Sequence, residues 1–318
     1  MPFDIAIVGA GAAGLTAGIF AAQKMGPGRV AVLDGTRQPG AKILVAGGGR
    51  CNVTNARVTH ADFNGGSRHT IRNVLAAFDV ARTIAWFTDM GVSLHEEEHG
   101  KLFPDSNQAR TVLNALLARL KRNGAALLAE HRVTQIEREN DGFLIATSNG
   151  PVRARRVVLA TGGESLPKTG SDGFGYELVR HLGHSIVPTT PGLVPFVLDG
   201  DFHAELSGIA QDVELVIRSA PAKPVRISGA LLWTHFGVSG PAVLDASRHW
   251  HHTRLEQRGV TISVSFLLDN DFNSAEEKLL GLVSSQPKVF LRNALATLLP
   301  ARLAEEILKK LGIDGGVA

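Results

Sequence analysis

An apolar run that follows Asp4, Ile5-Ala6-Ile7-Val8, leads directly into Gly9-Ala10-Gly11-Ala12-Ala13-Gly14, and an alanine-rich helical pattern follows through Gln23. A second apolar run, Val30-Ala31-Val32-Leu33, ends on Asp34, twenty positions beyond Gly14. Strand, tight glycine turn, helix and acid-terminated strand together describe a βαβ unit that accepts the diphosphate of a dinucleotide. The first glycine allows the turn, the second lets the backbone approach the phosphates, and the third lets helix and strand pack closely. The helix N-terminus offers unpaired N–H groups and its dipole to the anion. Asp34 is placed for a ribose hydroxyl, and an acidic residue there disfavours a 2′-phosphate. A glycine-rich βα turn with no ligand is the plainer reading of the motif taken alone.

At 318 residues the chain has room for two domains and a sizeable core. Its charged fraction of 20% and net charge of +3 come from interspersed basic and acidic residues, so no nucleic-acid partner is expected. The lone cysteine, Cys51, excludes an internal disulfide framework and suits a reducing cytoplasm. The apolar N-terminus has no basic flank and reads as a strand, not a signal peptide. No stretch approaches the roughly twenty apolar residues of a membrane span.

Further along, Gly35 to Ala46 is a polar link carrying Lys42, and Gly47-Gly48-Gly49-Arg50-Cys51-Asn52 follows. Apolar spacing predicts one helix from Thr70 to Met90, a polar turn region from Glu96 to Gln108, and a helix from Ala109 to Arg122. Strands are expected at 125–130, 132–139, 143–147 and 155–160, with Asn140-Asp141-Gly142 as a hairpin turn, which makes a small antiparallel meander within a doubly wound sheet. A helix spans Gly175 to Leu182. Three prolines between Pro188 and Pro195 mark a boundary between domains at 1–190 and 191–318. The second holds strands in about 191–270 (at 211–218, 225–233 and 260–268) and a helical part in about 272–312, with helices at 274–284, 288–299 and 301–311 punctuated by Pro287 and Pro300.

With these blocks in hand the chain resembles the BaiN/YhiN-like (HI0933-type) family of NAD(P)/FAD-dependent oxidoreductases and, more distantly, the flavoproteins related to glutathione reductase. The resemblance is carried by Gly9 to Gly14, Gly47 to Asn55, Lys101-Leu102-Phe103-Pro104, Ala160 to Ser165 with Thr169-Gly170-Ser171, and Thr234-His235-Phe236-Gly237-Val238-Ser239-Gly240-Pro241. It implies an α/β fold: a Rossmann-like FAD-binding domain with an antiparallel meander, plus a smaller β-barrel-like domain with a helical insert. It also implies non-covalent FAD, with Gly9, Gly11, Ala13 and Gly14 on the pyrophosphate, Asp34 at the adenosine ribose, Val133 offering backbone groups to adenine, and Thr161 and Gly162 closing over the cofactor; Ala10, Ala12 and Gly35 are further cofactor-binding candidates. Glycines at 47 to 49 permit positive φ and close approach beside a flat ring, so Gly48, Gly49, Arg50, Cys51 and Asn52 are candidates for the flavin side. A plain surface loop explains the same glycines. Lys42 is a candidate neighbour of phosphate or flavin.

Members of the family return to the flavin domain after the helical insert, whereas this chain ends at Gly312 to Ala318. The expectation is therefore a truncated, inactive flavin domain with an incomplete isoalloxazine side.

Two side chains invite a catalytic reading. Cys51 follows a glycine block as redox dithiols do, but the position of a Cys-x-x-x-x-Cys partner is Ala56, so dithiol exchange is excluded and a structural cysteine is preferred. His235 titrates in a useful range and is a candidate proton donor, against a plainer role in a structural turn. No second dinucleotide fingerprint follows a strand, so NAD(P)H is expected to dock transiently. His249, His251 and His252 lack metal-ligand spacing and read as a solvated helix face, and Glu96 to His99 as a solvated acidic turn. The function expected is hydride transfer between NAD(P)H and an unsaturated or conjugated-carbonyl small molecule through FAD N5. The alternatives are a non-enzymatic nucleotide-binding or interaction scaffold and, against the charge pattern, a flavoprotein acting on RNA.

Overall fold

The computed structural model describes residues 2–268, 270–285 and 288–316, so Pro287 lies outside the described residues. The chain divides into two compact units, one ending at Val187 and one beginning at Pro188. Among the described residues no helix is long and apolar enough to cross a membrane.

In chain order the first unit comprises β1 (Phe3–Val8), α1 (Ala12–Met25), β2 (Val30–Leu33), α2 (Ala41–Val45), β3 (Thr54–Asn55), α3 (Arg68–Ala77) and α4 (Val80–Asp89). It continues through β4 (Leu94–Glu97), β5 (Lys101–Pro104), α5 (Ala109–Arg122), β6 (Ala126–Leu128), β7 (Val133–Glu139), β8 (Gly142–Thr147), β9 (Val152–Leu159) and α6 (Phe174–His181). Six strands form one sheet in the order β6-β2-β1-β9-β8-β7, with β6, β2, β1 and β9 parallel and β9-β8-β7 an antiparallel meander. Val8 is in register with Leu33 on one side and Leu159 on the other, so β1 is central and the chain leaves it in opposite directions.

The β-branched runs of β1 and β2 are buried on both faces, as parallel strands require. Helix α1 presents Leu15, Gly18, Ile19 and Ala22 at helical spacing to that sheet. A Cβ on Gly18 would stand 2.6 Å from Val32 Cγ2 and 2.9 Å from Leu120 Cδ1, so this glycine sets how closely α1 approaches both β2 and α5. Helix α5 closes the same core with Val112, Leu113, Leu116 and Leu120. Each such buried Leu contributes about 1.5–3 kcal/mol relative to exposure.

Two expectations for this unit are corrected. The single helix from Thr70 to Met90 is two helices, broken at Phe78-Asp79, because Asp79 turns its carboxylate onto the Arg82 N–H at 2.8 Å and starts α4 as an N-cap. The turn region from Glu96 to Gln108 contains the β4–β5 hairpin, which joins β3 in a three-stranded sheet. Its strands bury only Leu102, Phe103 and Pro104, so the polar face hid the alternation.

The second unit contains β10 (Phe196–Val197), α7 (Phe202–Glu205), β11 (Ala210–Arg218), β12 (Val225–Thr234), β13 (Gly237–Ser239), α8 (Pro241–Leu255), β14 (Thr261–Ser265), α9 (Phe272–Ser285), α10 (Leu291–Leu295) and α11 (Ala301–Leu311). Its antiparallel sheet runs β10-β13-β12-β11-β14. Leu206, Val213, Leu215, Leu231, Trp233, Val243 and Leu303 form its core. The expected helix at 288–299 is only the short α10, and Thr297 turns its hydroxyl back onto the Ala294 carbonyl at 2.7 Å ahead of Pro300.

Candidate functional site

A cavity of about 980 Å³ opens in the first unit at the C-terminal ends of β1, β2 and β9. Open α/β sheets bind ligands at such a point, where the connections on the two sides of a central strand diverge. Gly9, Ala10, Gly11, Ala12 and Ala13 line it, together with Asp34, Gly35, Lys42, Cys51, Asn52, Val133, Thr161 and Gly162.

The three glycines of the fingerprint do three different things. Gly9 has φ +105°, and a Cβ there would meet the Ala160 carbonyl oxygen at 2.5 Å. A Cβ on Gly14 would fall 1.8 Å from the Gly9 oxygen, so Gly14 is required for helix–turn packing and lies off the cavity wall. Gly11 has an ordinary extended backbone and nothing within 4 Å of a Cβ position. Neither backbone nor packing asks for glycine at 11. The space in front of Gly11 is open to close approach by a ligand.

Helix α1 begins at Gly11 with no side-chain cap and no acidic residue in its first turn. Its first N–H groups therefore meet no capping side chain at the cavity wall, which is the arrangement an anion requires. Beside them, Asp34 accepts from the Ala10 N–H at 2.8 Å and from the Thr36 N–H and hydroxyl at 2.9 and 2.6 Å. A carboxylate accepts about four such bonds, so it retains capacity for a ribose hydroxyl. This donor and acceptor set fits the adenosine diphosphate half of FAD.

Lys42, on α2, donates to Ser165 Oγ at 2.7 Å and Ser171 Oγ at 2.9 Å, clasping α2 to the loop that follows β9. Gly162, with φ +75°, makes room for Ser171, whose Oγ would stand 2.5 Å from a Cβ. Val133 opens β7 just before an irregularity in its pairing with β8.

Gly48, Gly49 and Arg50 are not on the wall, although Ala46, Cys51, Asn52 and Val53 are. Left-handed turns at Gly47 and Gly48 carry this stretch outward, where Arg50 pairs with Glu97 at 2.5 Å and lies 4.1 Å over the Phe103 ring. The expectation of a merely solvated acidic turn at 96–99 is corrected accordingly: the Arg50 hydrogen bond, with His95 assisting, holds the Glu97 carboxyl below its usual range. Cys51 has φ +66°, is buried, and donates its N–H to the Ala46 carbonyl at 2.9 Å. Burial pushes its thiol up, so it stands as a neutral wall residue and not as a thiolate nucleophile.

His235 belongs to the second unit, exposed in the two-residue turn between β12 and β13, with its ring edge-on to Phe236 at 5.1 Å. The three histidines around Trp250 are on α8 and are not a uniformly solvated face. His249 and His251 are half-buried, and desolvation together with Arg248 pushes the His249 imidazole down. Among the described residues no cluster of His, Cys, Asp or Glu could hold a metal ion.

The motifs did not name Arg132, Asp172 and Phe174, which wall the cavity past Asp34, or Phe78, Trp86 and Phe87, which give it an aromatic side. These residues come from segments with no shared sequence pattern, so only the fold brings them together.

Residues 3–242 match the HI0933-like protein Rossmann domain, and residues 190–317 match the HI0933-like protein barrel and H2TH domain. The chain belongs to the HI0933-like family. HI0933-like proteins are FAD-dependent oxidoreductases. This chain is 34% identical to a ribosomal RNA dihydrouridine synthase of Escherichia coli (strain K12), with 98% of this chain and 74% of the relative covered. It is 33% identical to a protein of the same description from Haemophilus influenzae, with 94% and 72% covered. It is 30% identical to a 3-dehydro-bile acid delta(4,6)-reductase of Clostridium scindens, with 96% and 74% covered.

Proposed function

We propose that this HI0933-like chain reduces a carbon–carbon double bond conjugated with a carbonyl group on a small molecule, using NAD(P)H as the transient hydride source. The observation that carries the cofactor half of this reading is the open approach at Gly11 beneath the uncapped start of α1. Bound FAD supplies the reversible hydride acceptor. The amides of residues 11 to 13 would hold its diphosphate, Asp34 would orient the ribose, and Lys42 adds positive charge on the wall.

The substrate half is supported by what the relatives are named for. A delta(4,6)-reductase of a 3-dehydro bile acid and a synthase of dihydrouridine both add hydrogen across a double bond beside a carbonyl. The dihydrouridine relative favours a second reading, in which the conjugated carbonyl is a uracil ring in RNA. The lone, buried Cys51 is in keeping with a cytoplasmic location.

The test begins with purified protein titrated with FAD. Visible flavin absorbance that is retained on gel filtration and released on denaturation supports the flavoprotein reading, and colourless protein supports the scaffold. Anaerobic bleaching by NADH and by NADPH then identifies the reductant. Reoxidation by a panel of enones, and by unmodified ribosomal RNA, separates the two substrates. Reoxidation by neither would overturn the proposed chemistry.

A further inference from the structure

Past Asp34 the cavity ends at a wall built from the chain before β7 and the start of α6. The His131 N–H donates to the Asp34 carbonyl at 2.8 Å, so this wall is tied directly to the residue placed for the ribose. Arg132 is the next residue, and it is fixed at every level. Its N–H donates to Ser148 Oγ at 3.0 Å, and its carbonyl accepts from the Ser148 N–H at 2.9 Å. Its stem runs along Gly35, where a Cβ would stand 2.9 Å from Arg132 Cδ. Its Nη2 donates to Asp172 Oδ2 at 2.7 Å, and its guanidinium carbon sits 5.0 Å from the centre of the Phe174 ring.

Stability does not explain this degree of fixing. Arg132 and Asp172 side chains are 40% and 39% exposed, and pairs so open to water add little. What the contacts do achieve is to hold a planar group at a set angle on the cavity wall. Asp172 also neutralises it, so the wall suits an uncharged flat ring and not a further phosphate. The Phe174 ring lies under the guanidinium carbon, and Arg132, Asp172 and Phe174 all line the cavity.

We propose that Arg132 is the stacking platform for the adenine of the bound dinucleotide, oriented by Asp172 and Phe174. This rests on the FAD reading above and adds to it a residue that selects the base. Flat guanidinium groups stack on nucleobases in a way that a lysine ammonium, lacking a plane, does not.

The test titrates the full chain with FAD, ADP and inorganic pyrophosphate, using calorimetry for the nucleotides and phosphorus NMR for pyrophosphate. Arg132→Ala is expected to weaken ADP and FAD by about tenfold while leaving pyrophosphate within about twofold. Arg132→Lys keeps the charge and is expected to show the same selective loss, which carries the test should the alanine variant fail to fold. Unchanged ADP affinity in both variants overturns the platform, as does a parallel fall in pyrophosphate affinity, which marks a collapsed site. A wild-type chain that binds none of the three probes overturns the FAD reading itself and the platform with it.

Discussion

Asp34 reaches across the glycine turn to hold the Ala10 amide at 2.8 Å, so the residue placed for the ribose also braces the loop that faces the diphosphate. Two roles for one carboxylate predict a double effect of its removal. Asp34→Ala leaves the Ala10 and Thr36 N–H groups without their acceptor, at a cost of about 1–3 kcal/mol in unfolding free energy. FAD affinity is expected to fall at least about tenfold, since a charge-assisted hydrogen bond is lost as well. Urea unfolding and flavin titration read the two effects separately. Normal FAD binding by the alanine variant would remove Asp34 from the site.

The unequal surroundings of Gly11 and Gly14 predict opposite phenotypes for the same change. Gly14→Ala forces a methyl to 1.8 Å from the Gly9 oxygen, so it should destabilise the unit by about 1–3 kcal/mol or more, whether or not ligand is present. Gly11→Ala meets nothing within 4 Å and should keep stability within about 1 kcal/mol of wild type, yet lose FAD binding. Thermal unfolding without ligand, followed by flavin titration, distinguishes them. An intact site in Gly11→Ala would contradict the diphosphate assignment.

Cys51 supplies a prediction with a defined sign. Burial raises the folded thiol above its unfolded value, so its contribution to stability is complete below the unfolded pKa, near about 8.5, and is lost as pH rises through the folded one. Alkylation by iodoacetamide at pH near neutrality should be slow in the native protein and fast in urea. Cys51→Ser should remove this alkaline loss. Rapid alkylation of folded protein would show a more accessible thiol than the fold describes.

The acid limb depends on Asp4. This buried carboxylate is paired with Arg29 and lies 3.8 Å from Arg155; the Arg29 hydrogen bond is the main influence that lowers its pKa, against opposing desolvation. A lowered pKa stabilises above the ordinary carboxylate range, near about 3.9, and the contribution disappears as pH falls through the folded value. Asp4→Asn should therefore be less stable than wild type at neutral pH, with the two curves converging in acid. Circular dichroism melts at stepped pH measure that convergence. A difference that is constant with pH would exclude the ion pair as its source.

Much of the first unit is written in local pattern. The β1–α1–β2 unit was readable because apolar runs, glycine spacing and Asp34 all point to one arrangement, and α5 because Val112, Leu113, Leu116 and Leu120 repeat at helical spacing. The break at Asp79 was hidden because apolar spacing continues across it, and only the capping contact interrupts the helix. The β4–β5 hairpin was hidden because charged Glu96, Glu97 and Lys101 sit on short strands that depend on Arg50 and β3 for partners. The same limit applies to the site. Gly9 to Ala13 and Asp34 were visible in sequence, whereas the clasp from Lys42 to Ser165 and Ser171 spans more than a hundred residues and leaves no motif.

The central position of β1, with its neighbours leaving to left and right, has a consequence for how such a protein can diversify. The recess where those paths separate is made by strand order, so it persists while the surrounding loops are rewritten. A lineage holding this recess constant can change what it binds by altering side chains of its wall while the strand order that makes it stays the same.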